Sequence, residues 1–370
     1  MRIGIDARPL LSGNYTGIAR CLYENICVWI EKYPEHEYYL FSDKKLELHF
    51  DLPSNWHILD EPFIIKSSKL WFSIKLPMMI RSLKLDVYWG SNFILPNRVS
   101  GTKYCVTIHD LAIFKFENIS NSKKPELFKK RIIQSCLNAD KIIGVSYATA
   151  NDIIEITGVK KEKVCTSYNG GISETKTDFI PNDINPIIQF DEKFFLFIST
   201  IEPRKNIITI IKAFERFIDN TNSEMKLILA GKRGWNCDEI YLAVKQSRYS
   251  DKIIMPGFIS EADKIYLLKN ATVFLYPSLY EGFGIPILEA FEYNLPVITS
   301  RTSSIPEIGG NAAFYIDDPM DIDGLARHME NIICFDDEKL RSLYRDMEKQ
   351  LRSFSWEKNA CEIMQIFKGV

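Results

Sequence analysis

The chain has 370 residues, 46% of them hydrophobic and 25% charged, with a formal net charge of −2. That length exceeds what one hydrophobic core covers, so two domains are expected, and the ordinary composition excludes a disordered chain. No apolar run reaches the roughly 18 residues that a membrane-crossing helix needs, and MRIGIDARPLL reads as a strand carrying Arg2, Asp6 and Arg8, so a cytoplasmic protein is expected.

From its start the chain alternates apolar runs with helical patterns, the sign of parallel sheets. The first half predicts strands at 2–6, 37–41, 86–90, 103–110, 141–146 and 163–168, and helices at 17–32, 68–83, 123–138 and 148–157. Residues 170–193 carry Gly, Pro and Asn without a period and break the rhythm. The second half predicts strands at 194–200, 226–231, 252–257, 272–278, 296–300 and 312–317. Between them, Ser260 with Asp263 three residues later is a capping-box variant that opens a helix over 261–269. A last helix over 355–367 is anchored by Trp356. The expected division is a first domain over 1–175, a linker over 176–193, a second domain over 194–354 and a C-terminal helix over 355–370.

The eight cysteines are scattered without a C-x-x-C pair, and the histidines do not cluster, so neither disulfides nor zinc are expected. Charge is uneven: residues 66–141 hold 14 Lys and Arg against 5 Asp and Glu. Within that stretch KSSKLWFSIKLPMMIRSLK (66–84) sets Trp71, Phe72, Met78 and Met79 between cations, and SKKPELFKKRI (122–132) follows. Two readings stand, a face resting on anionic lipid and an ordinary amphipathic helix with solvated lysines.

The chemistry concentrates in YPSLYEGFGIPILEAFEYNLPVITS (276–300). An apolar run ends at Pro277, a turn with Gly282 and Gly284 follows, and Pro286 opens a helical pattern, which reads as strand, tight loop and helix N-terminus. Free amides at such a start, at Gly284 and Ile285 behind Phe283, attract a phosphate. The carboxylates Glu281 and Glu289, eight residues apart, are acceptors suited to hydroxyl pairs. Phosphate plus polyol describes a sugar nucleotide, although a dipole-favoured acid at a helix start explains the same spacing. Ligands of doubly wound sheets bind beyond the carboxyl ends of strands, which singles out further loops. IEPRKN (201–206) puts Arg204 and Lys205 before a helix, where the dipole disfavours cations and an anion would explain them. LLSGNYTGIAR sets Gly13 and Gly17 before a helix whose first turn holds Arg20, with a simple turn as the alternative. His109 ends the strand KYCVTIHD beside Asp110 and is either structural or a ligand contact. Asp317 and Asp318 end a late strand and read as a turn.

PSLYEGFGIPILEA with its Glu-x7-Glu spacing, together with EPRKN, resembles the large retaining glycosyltransferase family numbered four, and the resemblance runs along nearly the whole chain. It implies the α/β GT-B architecture: two Rossmann-like doubly wound domains facing across a cleft, the first binding acceptor and the second the nucleotide sugar, with the C-terminal helix crossing back to the first. It implies that Arg204 and Lys205 hold the donor diphosphate in place of a metal, that Gly17 and Gly13 form a glycine loop over it, and that His109 and Glu281 touch the donor sugar. Glu289 would hold the ribose, with Phe283, Gly284 and Ile285 at the donor. No cofactor or metal is expected. IDARPLLSGNYTGIARCLYENI and SRTSSIPEIGG look most like bacterial mannosyltransferases of O-antigen or capsule synthesis. GDP-mannose is the first donor choice, with UDP- and dTDP-sugars open, and a glycan or polyprenyl-diphosphate-linked acceptor would account for the basic first half. The expected place is the cytoplasm, with peripheral contact at the inner membrane as an option, and no nucleic acid partner. Rivals of other classes are a sugar-nucleotide epimerase and a non-catalytic GT-B partner or activator subunit.

Overall fold

A computed structural model of the protein describes residues 1–12, 17–60, 67–116, 124–171 and 193–370. Gly13 and residues 176–192 of the expected linker lie outside the described residues. The chain divides into two units, Met1–Gly170 with Phe354–Val370, and Gly171–Ser353. Each is an open parallel sheet covered by helices, the doubly wound half of a GT-B fold.

The first sheet holds β1 (Arg2–Asp6), β2 (Glu37–Phe41), β3 (Trp56–Leu59), β4 (Val87–Gly90), β5 (Lys103–Ile108), β6 (Lys141–Gly144) and β7 (Val164–Thr166) in the order β3-β2-β1-β4-β5-β6-β7. The second holds β8 (Phe194–Ile198), β9 (Lys226–Ala230), β10 (Ile253–Gly257), β11 (Val273–Tyr276), β12 (Val297–Ser300) and β13 (Ala313–Ile316) in the order β10-β9-β8-β11-β12-β13. Every described strand pair is parallel. Central parallel strands are covered on both faces, so their sequences are continuous apolar runs. FFLF of β8 is buried without a break. The strand that sequence patterning overlooks is β3, a four-residue edge strand whose Ile58 is 41% exposed, so it carries no clean period.

Ser260 and Asp263 form the reciprocal capping box, the hydroxyl accepting from Asp263 N and the carboxylate from Ser260 N. The basic helix begins at Ser68–Leu70, passes through a π-helical turn at Trp71–Lys75 and continues over Leu76–Leu83. Trp71 and Phe72 belong to the core and Met79 packs against it, leaving Met78 exposed among the four apolar residues set between cations. No described helix is long and apolar enough to cross a membrane. All eight cysteines are free thiols.

The helix Trp356–Lys368, capped by Ser355, packs in the first unit. Trp29 Nε1 donates to Ala360 O at 2.9 Å, and Asn359 is bonded by Asn25 at 2.8 Å and donates to Ser167 at 2.9 Å. Gly170 gives Trp356 its seat, because a Cβ there would lie 2.5 Å from the indole. Gly170→Ala is therefore expected to lose about 1–3 kcal/mol through overpacking. The check is urea unfolding: a lowered midpoint at constant slope supports the seat, and an unchanged midpoint removes it.

Candidate active site

In the second unit the chain winds from β8 outward to β10 on one side and resumes at β11 on the other. The loops after β8 and β11 therefore part, and a crevice opens at the carboxyl ends of these two neighbouring strands. Both sequence-selected loops lie there. Pro203–Lys205 forms a 3-10 turn, Asn206 turns left-handed at φ 60°, and the helix Ile207–Thr221 follows.

A buried carboxylate joins the two loops. Glu281 accepts from Lys205 Nζ at 2.6 Å and the Tyr276 hydroxyl at 3.0 Å on one oxygen, and from Arg204 Nη1 at 2.9 Å on the other. Lys205 also donates to the Tyr276 hydroxyl at 2.8 Å. Arg204 is held further by Glu202 at 2.7 Å and by the Tyr280 carbonyl at 2.6 Å. The structure thus brings Arg204, Lys205 and Glu281 into one cluster. It also corrects the electrostatic argument for the cations: they are not left facing a helix end uncompensated, because Glu202 and Glu281 balance them.

Burial works against ionising Glu281, yet Arg204 and Lys205 outweigh it and hold the carboxyl at about 2. Burial also pushes Lys205 down, opposed chiefly by Glu281. The shift of Glu281 governs the cluster, since it meets two cations while Lys205 touches one carboxylate. Tyr276 and Glu202 escape sequence patterning. Tyr276 reads as one more apolar residue of its strand, and Glu202 as part of a turn.

The loop after β12 fixes the backbone around Glu281. Ser303, left-handed at φ 45°, accepts from Glu281 N at 2.8 Å. The Ser304 hydroxyl lies 2.9 and 2.7 Å from the carbonyls of Glu281 and Phe283. Phe283 is buried, and Gly284 precedes the helix Ile285–Glu292 at φ 121°, a conformation that favours glycine. No side chain caps this helix start, and Pro286 occupies its first turn. Glu289 lies on that helix and takes Lys264 Nζ at 2.9 Å, so it stands apart from the Glu281 cluster with its own cation. Lys264, held charged against burial by Glu289 and Glu261, is a second partner that sequence spacing does not reveal.

In the first unit the switch lies between β1 and β4. His109 Nε2 is 2.8 Å from the Ser91 carbonyl, and the Ser91 hydroxyl donates to Asp6 O at 2.6 Å, tying the ends of three strands together. A carbonyl only accepts, so Nε2 carries the proton and Nδ1 remains an acceptor. Burial lowers the His109 pKa despite that bond and Asp110, which keeps the ring neutral. Phe93, at φ 62°, packs edge-on to His109. A bulky residue in that region is strained, and such strain gathers at functional sites. Gly17 precedes the helix Ile18–Lys32 at φ 56° and ψ −121°, with open space where a Cβ would stand. Arg20 pairs with Glu24 at 3.6 Å, and Asp110 accepts from Ala112 N, so both have local roles. Asp317 pairs with Arg301 and Asp318 caps Met320 N, as a turn would.

Residues 182–352 match the family model described as Glycosyl transferases group 1, and residues 32–170 match Glycosyltransferase Family 4. O-antigen chain mannosyltransferase B of Escherichia coli is 29% identical over 315 residues, covering 83% of this chain and 81% of that protein. O-antigen chain mannosyltransferase RfbU of Salmonella typhimurium is 28% identical over 211 residues, covering 57% of this chain and 56% of that protein. Among solved structures, WaaG, a glycosyltransferase involved in lipopolysaccharide biosynthesis, resembles the fold with a TM-score of 0.71 at 13% identity, covering 100% of both chains.

The Glu281 cluster predicts an acid limb. A carboxyl held at about 2 rather than 4.5 contributes stability that is complete above pH 4.5 and lost as pH falls toward 2. Glu281→Gln leaves the buried Lys205 without its carboxylate and is expected to cost about 3 kcal/mol at pH 7. The deficit should shrink between pH 4.5 and 2, where the wild type loses the same interaction. Denaturant melts across that range measure it, and a constant gap refutes the assignment.

Proposed function

Given that the chain belongs to the family-4 glycosyltransferases of GT-B fold, we propose that it moves mannose from GDP-mannose, with retention of anomeric configuration, to a glycan acceptor on a polyprenyl diphosphate in O-antigen synthesis. The observation that carries the reading is the buried Arg204, Lys205, Glu281 and Tyr276 cluster at the switch between β8 and β11. The mannose and the O-antigen rest on the relative from Escherichia coli, which is 29% identical across most of both chains.

In this reading Arg204 and Lys205 turn from their carboxylate partners to the donor diphosphate. A guanidinium fork and an ammonium stabilise the departing charge, so no metal is required. Glu281 accepts from a hydroxyl of the sugar, and Glu289 receives the ribose. The uncapped start of Ile285–Glu292 turns its amides toward phosphate. A covalent glycosyl-enzyme needs a carboxylate nucleophile at the anomeric carbon, and in this reading Glu281 is given instead to a sugar hydroxyl. Displacement on one face, with the departing phosphate taking the acceptor's proton, asks the protein only for positioning and charge stabilisation. In this reading the chain works at the inner face of the cytoplasmic membrane, which the exposed Ile74 and Met78 beside Lys69, Lys75 and Arg81 support.

A thermal-shift panel of sugar nucleotides tests the donor. GDP-mannose at about 100 times its Kd should stabilise by about 2.7 kcal/mol. A UDP- or dTDP-sugar acting instead would reassign the donor, and no response to any of them would favour a non-catalytic partner. Lys205→Ala should lower kcat roughly 100- to 1000-fold, the loss typical of one charge-stabilising donor. Transfer should persist in EDTA, and loss of activity rescued by manganese would overturn the metal-free reading.

A further inference from the structure

In the first unit two cations share one aromatic ring. Arg8, just beyond β1, places its guanidinium carbon 4.4 Å from the centre of Phe72, and Arg131, on the helix Pro125–Asn138, approaches the same ring to 5.4 Å. Their charges are unequally compensated. Arg8 is gripped by Asp6, with contacts of 2.8 and 2.6 Å, and stays charged although burial opposes it. Arg131 is exposed, and among the described residues its side chain has no ion pair or hydrogen bond, only the ring. Burial and then Arg8 lower its pKa, the sign of a cation held beside a like charge without an anion. A helix needing only solvated lysines would not fold Arg131 against Arg8.

The surroundings have the same polarity. The Tyr88 hydroxyl and Trp71 Nε1 are buried, 0% and 1% exposed by residue, and neither has a hydrogen-bond partner among the described residues. Tyr88 feels the charges of both Asp6 and Arg8, so its hydroxyl belongs to this corner. Trp71 and Phe72 open the π-helical turn, which lets two successive side chains face inward, and such turns recur at functional sites. Two guanidiniums face Phe72, Arg8 also lies 5.9 Å from the centre of the Trp71 ring, and among the described residues Asp6 is the carboxylate that grips Arg8. What would satisfy them is a ligand rich in acceptors and negative charge. Arginine forks match phosphate oxygens two at a time.

We propose that Arg8 and Arg131, spaced by Phe72, form the binding site for the diphosphate of the acceptor. The proposal rests on the glycosyltransferase reading above and deepens it, since the donor diphosphate has its own cations in Arg204 and Lys205. It also gives the cationic excess of residues 66–141 a specific task.

The test is calorimetric titration of the full chain with geranyl diphosphate, a soluble isoprenyl diphosphate, in saturating GDP so that the nucleotide site is filled. Wild type should bind the probe. Arg131→Gln should weaken it about tenfold or more, equivalent to about 1.4 kcal/mol, and Arg131→Lys should restore part of the loss. Lys130→Gln, an equal charge change on the same helix, should leave it unchanged. Arg131 is exposed, so folding should survive, and GDP affinity measured separately should stay within about twofold. The site is overturned if wild type fails to bind the probe, if Arg131→Gln binds as wild type does, or if Lys130→Gln loses as much. It is equally overturned if GDP affinity falls in parallel, which would assign Arg131 to the nucleotide. Failure of the mannose reading would look different: geranyl diphosphate binding intact, with no response to GDP-mannose.

Discussion

The second unit depends on one buried carboxylate. Strand order sends the loops after β8 and β11 apart, and Glu281 draws them together by accepting from Arg204, Lys205 and Tyr276. An ammonium as deeply buried as that of Lys205 would be costly without such a partner, and removing one member of a buried pair typically costs several kcal/mol. The same contact that closes the crevice also sets the chemistry of its lining. Ser303 and Ser304 complete the arrangement by gripping the backbone of Glu281 and Phe283 from a third loop.

The cluster is balanced in charge. Glu202 and Glu281 offset the two cations, so these four groups carry no net charge. In the proposed reaction the donor diphosphate would supply the negative charge for Arg204 and Lys205 to exchange partners, and preorganised cations need little reorganisation for that exchange. The first unit is built on another principle. His109 is neutral and fixed in one tautomer by the Ser91 carbonyl, and the strained Phe93 packs against it. Its charge lies instead at Arg8 and Arg131, around an aromatic ring and one buried aspartate.

Most secondary structure is legible in the sequence because parallel strands buried on both faces are written as continuous apolar runs and separated by amphipathic helices. The exception, β3, is a short edge strand with one face in solvent, where burial leaves little signal. Sequence reasoning also treated Trp71 and Phe72 as apolar residues between cations, a pattern that fits lipid and core equally well. The structure puts them in the core. Sequence spacing distinguishes neither case, because periodicity reports a face and not what covers it.

The sequence by itself determined the doubly wound alternation, the glycines needed at positive φ in Gly17 and Gly284, the capping box at Ser260 and the residue types of the Glu-x7-Glu and EPRKN segments. These are local properties, set by backbone sterics and by side-chain period. Tertiary structure alone decided partners. Glu281 meets Lys205 across 76 residues of chain, Glu289 meets Lys264, and Arg131 meets Phe72 and Arg8. The reason is physical: an ionisable side chain declares its charge locally, but which opposite charge it finds depends on strand order and on loops brought to one sheet edge.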